Sequence, residues 1–257
     1  MDQKENNGPW IFISHSVKDW DKVRTIRNNL ENEGAKPLMF FLKCLNEECE
    51  IDGLIKREIT ERNFFLLCES KNTLDSKWVK TEVEFVKSLK DKVIEVIDLE
   101  NDLESQKFKI NRLLKRATVF LSYAHIDFFD SDFIKDLQGI LLKNDFAVYK
   151  QDEDSSTDFS WNTTNDIIEA MQNGFFIVLI TMRSLRSNWV LAEINTAIEN
   201  LDSKKQNIIP ILLHDPKLVI PLLPKALREI QYYDFSNGDI ISNANNLIKD
   251  LKKREMF

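Results

Sequence analysis

Apolar residues along the chain follow two alternating rhythms. Short continuous runs bounded by polar residues predict buried strands, and apolar positions three and four apart predict one-sided helices. In the first half, Trp10–Ser14, Pro37–Phe41, Asn63–Cys68 and Val93–Leu99 read as strands, with helices over Val23–Glu33, Leu54–Arg62 and Lys77–Leu89. In the second half, strands are predicted over Thr118–Ser122, Phe146–Tyr149, Phe175–Ile180, Asn207–Leu213 and Gln231–Phe235. Helices are predicted over Phe133–Asn144, Thr163–Asn173, Trp189–Leu201 and Asn243–Lys253, and Lys150–Trp161 reads as a polar, acidic loop. Phe175–Ile180 is apolar at every position, as in a parallel strand covered on both faces. Strands alternating with helices predict an α/β fold, a flavodoxin-like doubly wound parallel sheet.

The pattern occurs twice. Ser76-Lys77-Trp78-Val79-Lys80-Thr81-Glu82 is echoed by Ser187-Asn188-Trp189-Val190-Leu191-Ala192-Glu193, both of the form Ser-x-Trp-Val-x-x-Glu. Each follows an apolar run, Phe64–Cys68 or Phe175–Ile180. Ile11-Phe12-Ile13-Ser14 is echoed by Val119-Phe120-Leu121-Ser122, with Asp19 and Asp127 each five residues after the serine. Near-constant spacing marks an internal repeat, so two domains are expected, 1–116 and 117–257, with one copy's terminal helix running into the next copy's first strand. Aligning Asp98-Leu99 with Asp234-Phe235 leaves the second copy about 25 residues longer before its last strand, so the first copy is expected to be one strand short.

Composition narrows the function classes. A net charge of −7 with both signs interspersed argues against bulk electrostatic binding of nucleic acid. No stretch has the apolar length of a membrane span, and the polar start lacks a signal peptide's apolar core, so a cytoplasmic protein is expected. Cys44, Cys49 and Cys68 are odd in number and lack CxxC spacing, which argues against a disulfide framework and a zinc site. His15, His125 and His214 form no metal-ligand spacing. Six glycines, none in a phosphate-loop pattern, exclude a dinucleotide fingerprint.

The candidate chemistry sits where the repeat is strongest. A tryptophan and a carboxylate four apart share a helix face. A helix following a buried parallel strand begins at the strand's carboxyl end, where open α/β sheets bind ligands. Glu82 and Glu193 therefore stand out. Trp78 and Trp189 read equally as core anchors or as rings for stacking on a ligand. Asp19 and Asp127 read as helix N-caps, Trp20 and Trp161 as packing residues, and the acidic run Asp152–Asp158 as a solvated loop.

Strand-Ser-(His/Tyr)-x-x-x-Asp, an acidic second-strand loop and Ser-x-Trp-Val-x-x-Glu, in that order and duplicated, resemble the Toll/interleukin-1 receptor (TIR) domain of bacterial type. The likeness runs over nearly the whole chain through Phe120–Asp127, Trp161 and Ser187–Glu193 in the second copy, and Phe12–Ser16 and Phe40–Leu45 in the first. TIR domains include enzymes that cleave NAD+ at the nicotinamide–ribose bond, their catalytic glutamate being that of the Trp-x-x-x-Glu helix, and adaptors that bind only one another. The resemblance thus implies catalytic roles for Glu193 and Glu82, and substrate contacts from Trp189, Trp78, Ser122, Tyr123, Ser14, His15, Lys43 and Asp154. It implies NAD+ as substrate with no separate cofactor or metal, a product of ADP-ribose or a cyclic form, and TIR–TIR self-association. It further implies an activating protein partner and a role in anti-phage defence. The second copy has the fuller fold and the first keeps Lys43, so the working copy stays open. A non-catalytic TIR scaffold and a nucleoside-processing glycosyl enzyme are the alternatives.

Overall fold

The computed structural model describes residues 8–40, 48–124, 127, 132–150, 174–200 and 207–254. They form two compact units, one built mainly from residues up to Ala117 and the other from Thr118 onwards.

The first unit contains strands β1 (Trp10–Ser14), β2 (Lys36–Leu38), β3 (Phe64–Glu69) and β4 (Val93–Asp98). Its helices are α1 (Trp20–Asn32), α2 (Glu48–Glu61), a short α3 (Lys71–Leu74), α4 (Lys77–Ser88) and α5 (Leu103–Arg116). All strand pairs are parallel, in the order β2-β1-β3-β4. Helix α1 buries Val23, Ile26 and Leu30, which alone removes enough apolar surface for about 1.5–3 kcal/mol each. It stops where Gly34 takes φ 82°, a left-handed turn that lets Gly34 and Ala35 N–H groups close back on the Glu31 and Leu30 carbonyls. Strand β2 is shorter than the predicted Pro37–Phe41. Phe40 leaves the ladder to pack its ring 5.9 Å from Phe12, and Phe41 lies outside the described residues.

The second unit contains β5 (Thr118–Ser122), β6 (Ala147–Lys150), β7 (Phe175–Ile180), β8 (Ile208–Leu212) and β9 (Tyr233–Asp234). Its helices are α6 (Phe133–Lys143), α7 (Asn188–Asn200), two short turns α8 (Pro216–Val219) and α9 (Lys225–Arg228), and α10 (Ile240–Lys253). The parallel order is β6-β5-β7-β8-β9. Just before β7 a side chain at Gly174 would sit 2.6 Å from the Thr118 carbonyl oxygen, so β5 and β7 approach this closely only with glycine there. The predicted helix Thr163–Asn173 and the loop before it lie outside the described residues.

Both sheets are flavodoxin-like, and the first has one strand fewer. The strand that lacks a counterpart is β9. Phe65 pairs with Ile94 and Phe176 with Ile208, so β4 corresponds to β8. The predicted match of Asp98-Leu99 to Asp234-Phe235 is therefore wrong. The extra segment follows β8 as α8, α9 and β9, and does not include β8 as that match implied. Equivalent aromatic pairs anchor the two cores: Phe12 stacks on Phe65 at 5.5 Å, and Phe120 on Phe176 at 5.8 Å.

Candidate active site

In each unit the site lies where the central strand pair ends and the chain turns into the Glu-bearing helix. Ser14 is the last residue of β1, and Ser122 the last of β5. Flanking strands lead off to opposite sides of β1 and β5, so these ends form the switch point at which open parallel sheets present a crevice.

The repeated motif has a local explanation. Ser76 and Ser187 precede α4 and α7, and their Oγ atoms accept from the Val79 and Val190 N–H groups at 3.3 and 3.4 Å. Val79 and Val190 are buried. Trp78 and Trp189 are partly buried and pack on the cores that hold the stacked phenylalanines. One helical turn later Glu82 and Glu193 point back to the strand ends. Ser14 Oγ donates to Glu82 Oε2, and Ser122 Oγ donates to Glu193 Oε2. Glu193 has a second donor, Trp189 Nε1, at 2.7 Å from Oε1.

Both carboxyls are buried, Glu82 to 9% and Glu193 to 5% exposure. Burial pushes Glu82 up to about 7, against the opposing pull of the Ser14 hydrogen bond. Burial likewise pushes Glu193 up to about 7, against Ser122 and Trp189. A carboxyl that far from its ordinary range, at a sheet's carboxyl edge, is the kind of group that binding sites collect.

A second hydroxyl arrangement stabilises the loop beside each glutamate. Asp19 sits at the N-cap position of α1 but makes no side-chain cap bond. It reaches across to the turn after β3, accepting from Ser70 Oγ and Asn72 Nδ2, both at 2.6 Å. Asp127 likewise accepts from Thr181 Oγ1 at 2.7 Å and faces Arg183 at 3.8 Å. The predicted capping role of Asp19 is thus replaced by a long-range tie, in which the turn after β3 supplies one donor to each carboxylate oxygen. That turn is itself a reciprocal capping box in both units, Ser70 with Thr73 and Thr181 with Ser184. The paired hydroxyls three apart, placed directly after each buried strand, were the available sequence signal for this tie.

The other predicted residues are placed as follows. His15 is half-buried beside Asp19, and burial lowers it below its ordinary 6.5, with the Ile13 backbone and Asp19 opposing. Tyr123 is buried. Lys43 and Asp154 lie outside the described residues, as does Trp161. Cys68 is fully buried and pushed up to about 12 by burial, which removes it as a thiolate nucleophile. Among the described residues no cluster of His, Cys, Asp and Glu is arranged to hold a metal ion, and no helix is long and apolar enough to cross a membrane.

A family model for the TIR domain matches residues 11–114 and again 119–249. The chain belongs to the TIR-domain family. Its two TIR domains each carry the serine–glutamate pair. Among solved structures, the TIR domains of the activated Roq1 resistosome directly recognising the pathogen effector XopQ are 18% identical, over 52% of this chain and 99% of that one, with a TM-score of 0.43. The TIR domain of the Toll-related receptor TRR-2 from Hydra magnipapillata is 20% identical, over 52% and 98%, with a TM-score of 0.40. No curated protein matches the chain.

Proposed function

We propose that this tandem TIR protein is an NAD+ glycohydrolase that breaks the bond between nicotinamide and ribose. The observation that carries the reading is the buried glutamate held by a strand-end serine at the sheet's carboxyl edge, present in both copies. Breaking an N-glycosidic bond to a cationic nicotinamide develops positive charge on the ribose ring. A carboxylate beneath that ring stabilises the oxocarbenium-like state. Nicotinamide departs neutral, taking the bonding electron pair, so no general acid is required. Water then attacks the anomeric carbon to give ADP-ribose and a proton; attack by the adenine instead gives a cyclic product.

Burial changes one part of this chemistry. A glutamate of ordinary acidity is fully ionised at neutral pH, but with both carboxyls pushed up to about 7 the protonated form is well populated. A cationic ligand arriving beside the carboxyl favours the anion. Thus kcat/KM rises with pH through about 7 before it levels, and kcat, which reports the complex, levels at lower pH. In this reading the protein is a defence effector, switched on by self-association or by a protein partner, and two domains on one chain raise the effective concentration of the pair.

The test is nicotinamide release from NAD+ by the full chain at high concentration. Release by the wild type, lost in the Glu82→Ala/Glu193→Ala double variant, is the expected result. Equal release from the double variant contradicts it; no release from the wild type leaves the scaffold reading and an enzyme that awaits its activating partner. The second reading, a TIR scaffold without chemistry, is favoured by one observation: both oxygens of Glu193 are satisfied from within the chain.

A further inference from the structure

The two glutamates differ in what their second oxygen meets. Glu193 gives Oε2 to Ser122 and Oε1 to Trp189, so its own chain occupies both oxygens. Glu82 gives Oε2 to Ser14, and among the described residues nothing donates to its Oε1. Trp78 stands at the same helix position as Trp189 and packs on the core of its domain, but makes no hydrogen bond to Glu82.

We propose that the two copies have different tasks. Glu82 is the ligand-facing carboxylate, with Oε1 open to accept from a ribose hydroxyl, whereas Trp189 closes Glu193 and holds the second site shut to the same ligand. A hydroxyl approaching Glu193 must first displace the indole N–H, breaking a hydrogen bond inside a buried site. Among the described residues, a hydroxyl approaching Glu82 Oε1 has no such bond to break. Trp189 is thus a gating residue that acts through Glu193. The identity of the ligand as the ribose of NAD+ rests on the proposed glycohydrolase reading; the unequal access of the two carboxyls rests on the hydrogen bonds alone.

Carboxyl labelling separates these layers. The full-length wild type is treated near neutral pH with a water-soluble carbodiimide and an amine, and adduct formation at each glutamate is followed by peptide fragmentation mass spectrometry. Glu82 is expected to react about tenfold faster than Glu193 or more, the factor that one extra hydrogen bond to a carboxylate sustains. In Trp189→Phe the Glu193 rate rises toward that of Glu82, while the Glu82 rate stays at its wild-type value and unchanged hydrogen-exchange protection of β7 and β8 shows the second domain still folded. Equal rates in the wild type overturn the proposal without recourse to any variant, as does a Glu193 rate untouched by Trp189→Phe in a folded protein. Saturating NAD+ added before the reagent is expected to protect Glu82 at least severalfold more than Glu193. A tenfold rate difference without protection by NAD+ contradicts the glycohydrolase reading and leaves the gate standing.

Discussion

In the first TIR domain the helix-borne glutamate is held by Ser14; in the second it is held by Ser122 and by Trp189 as well. The tryptophan, the valine, the capping serine and the strand-end serine are the same in both, and both carboxyls are pushed up to about 7. Identical residues at identical helix positions therefore produce one carboxyl with an open oxygen and one without. The difference lies in the side-chain geometry of a single indole. It shows that a repeated motif establishes which groups meet and leaves their availability to a ligand undetermined.

The largest expected effect tests what the two sites share. Each folded-state value lies above the ordinary 4.5, so the folded protein holds these protons more tightly than the unfolded chain. Their contribution to stability is fully present below about pH 4.5 and is lost as pH rises through about 7. The loss is on the order of 3 kcal/mol for each carboxyl. Glu82→Gln and Glu193→Gln, which cannot ionise, are each expected to leave stability at pH 4 little changed and to raise it at pH 8. Peptide-resolved hydrogen exchange assigns the gain to the domain that carries the substitution. A gain in the wrong domain, or at pH 4, breaks the parallel.

The next effect sharpens the contrast between the two loop ties. Asp19 is buried and accepts at 2.6 Å from both Ser70 and Asn72, so Asp19→Ala strands a buried hydroxyl and a half-buried amide. A loss of about 3 kcal/mol is expected in the first domain. Asp127 is less buried and ties to Thr181 and Arg183, and Asp127→Ala is expected to cost about 1–2 kcal/mol in the second. Denaturant midpoints followed by domain-specific exchange measure both, and a reversed order overturns this ranking.

The smallest effect isolates the indole. Trp→Phe at either site removes similar packing, but only at Trp189 does it also remove a hydrogen bond. Trp189→Phe is expected to cost about 1 kcal/mol more than Trp78→Phe, each measured in its own domain. Equal costs would place the Trp189–Glu193 bond outside the stability of the second domain.

Much of this was legible in the chain. Strand and helix order followed from the apolar runs, and the repeat from Ser14/Ser122 and the two Ser-x-Trp-Val-x-x-Glu segments. What was not legible depends on contacts between residues far apart in sequence. Ser14 and Glu82 are 68 residues apart, and Asp19 and Ser70 are 51 apart. No local spacing announces either bond, and Asp19 read locally looked like a helix cap. The alignment of Asp98 with Asp234 failed for a related reason. Two Asp-apolar pairs resemble each other as letters, whereas strand register pairs Ile94 and Ile208 with equivalent phenylalanines. The asymmetry at Trp189 was invisible because the motif is the same in both copies.

The most direct measurement is nicotinamide release from NAD+ by the Glu82→Ala variant beside the wild type, at the same high protein concentration. If Glu82 is the ligand-facing carboxylate of a glycohydrolase, release falls by about a thousandfold, the scale of losing one electrostatic stabiliser of the transition state. Release that stays within a factor of about two of the wild type, a negligible change in transition-state stabilisation, would contradict the assignment and move the chemistry elsewhere.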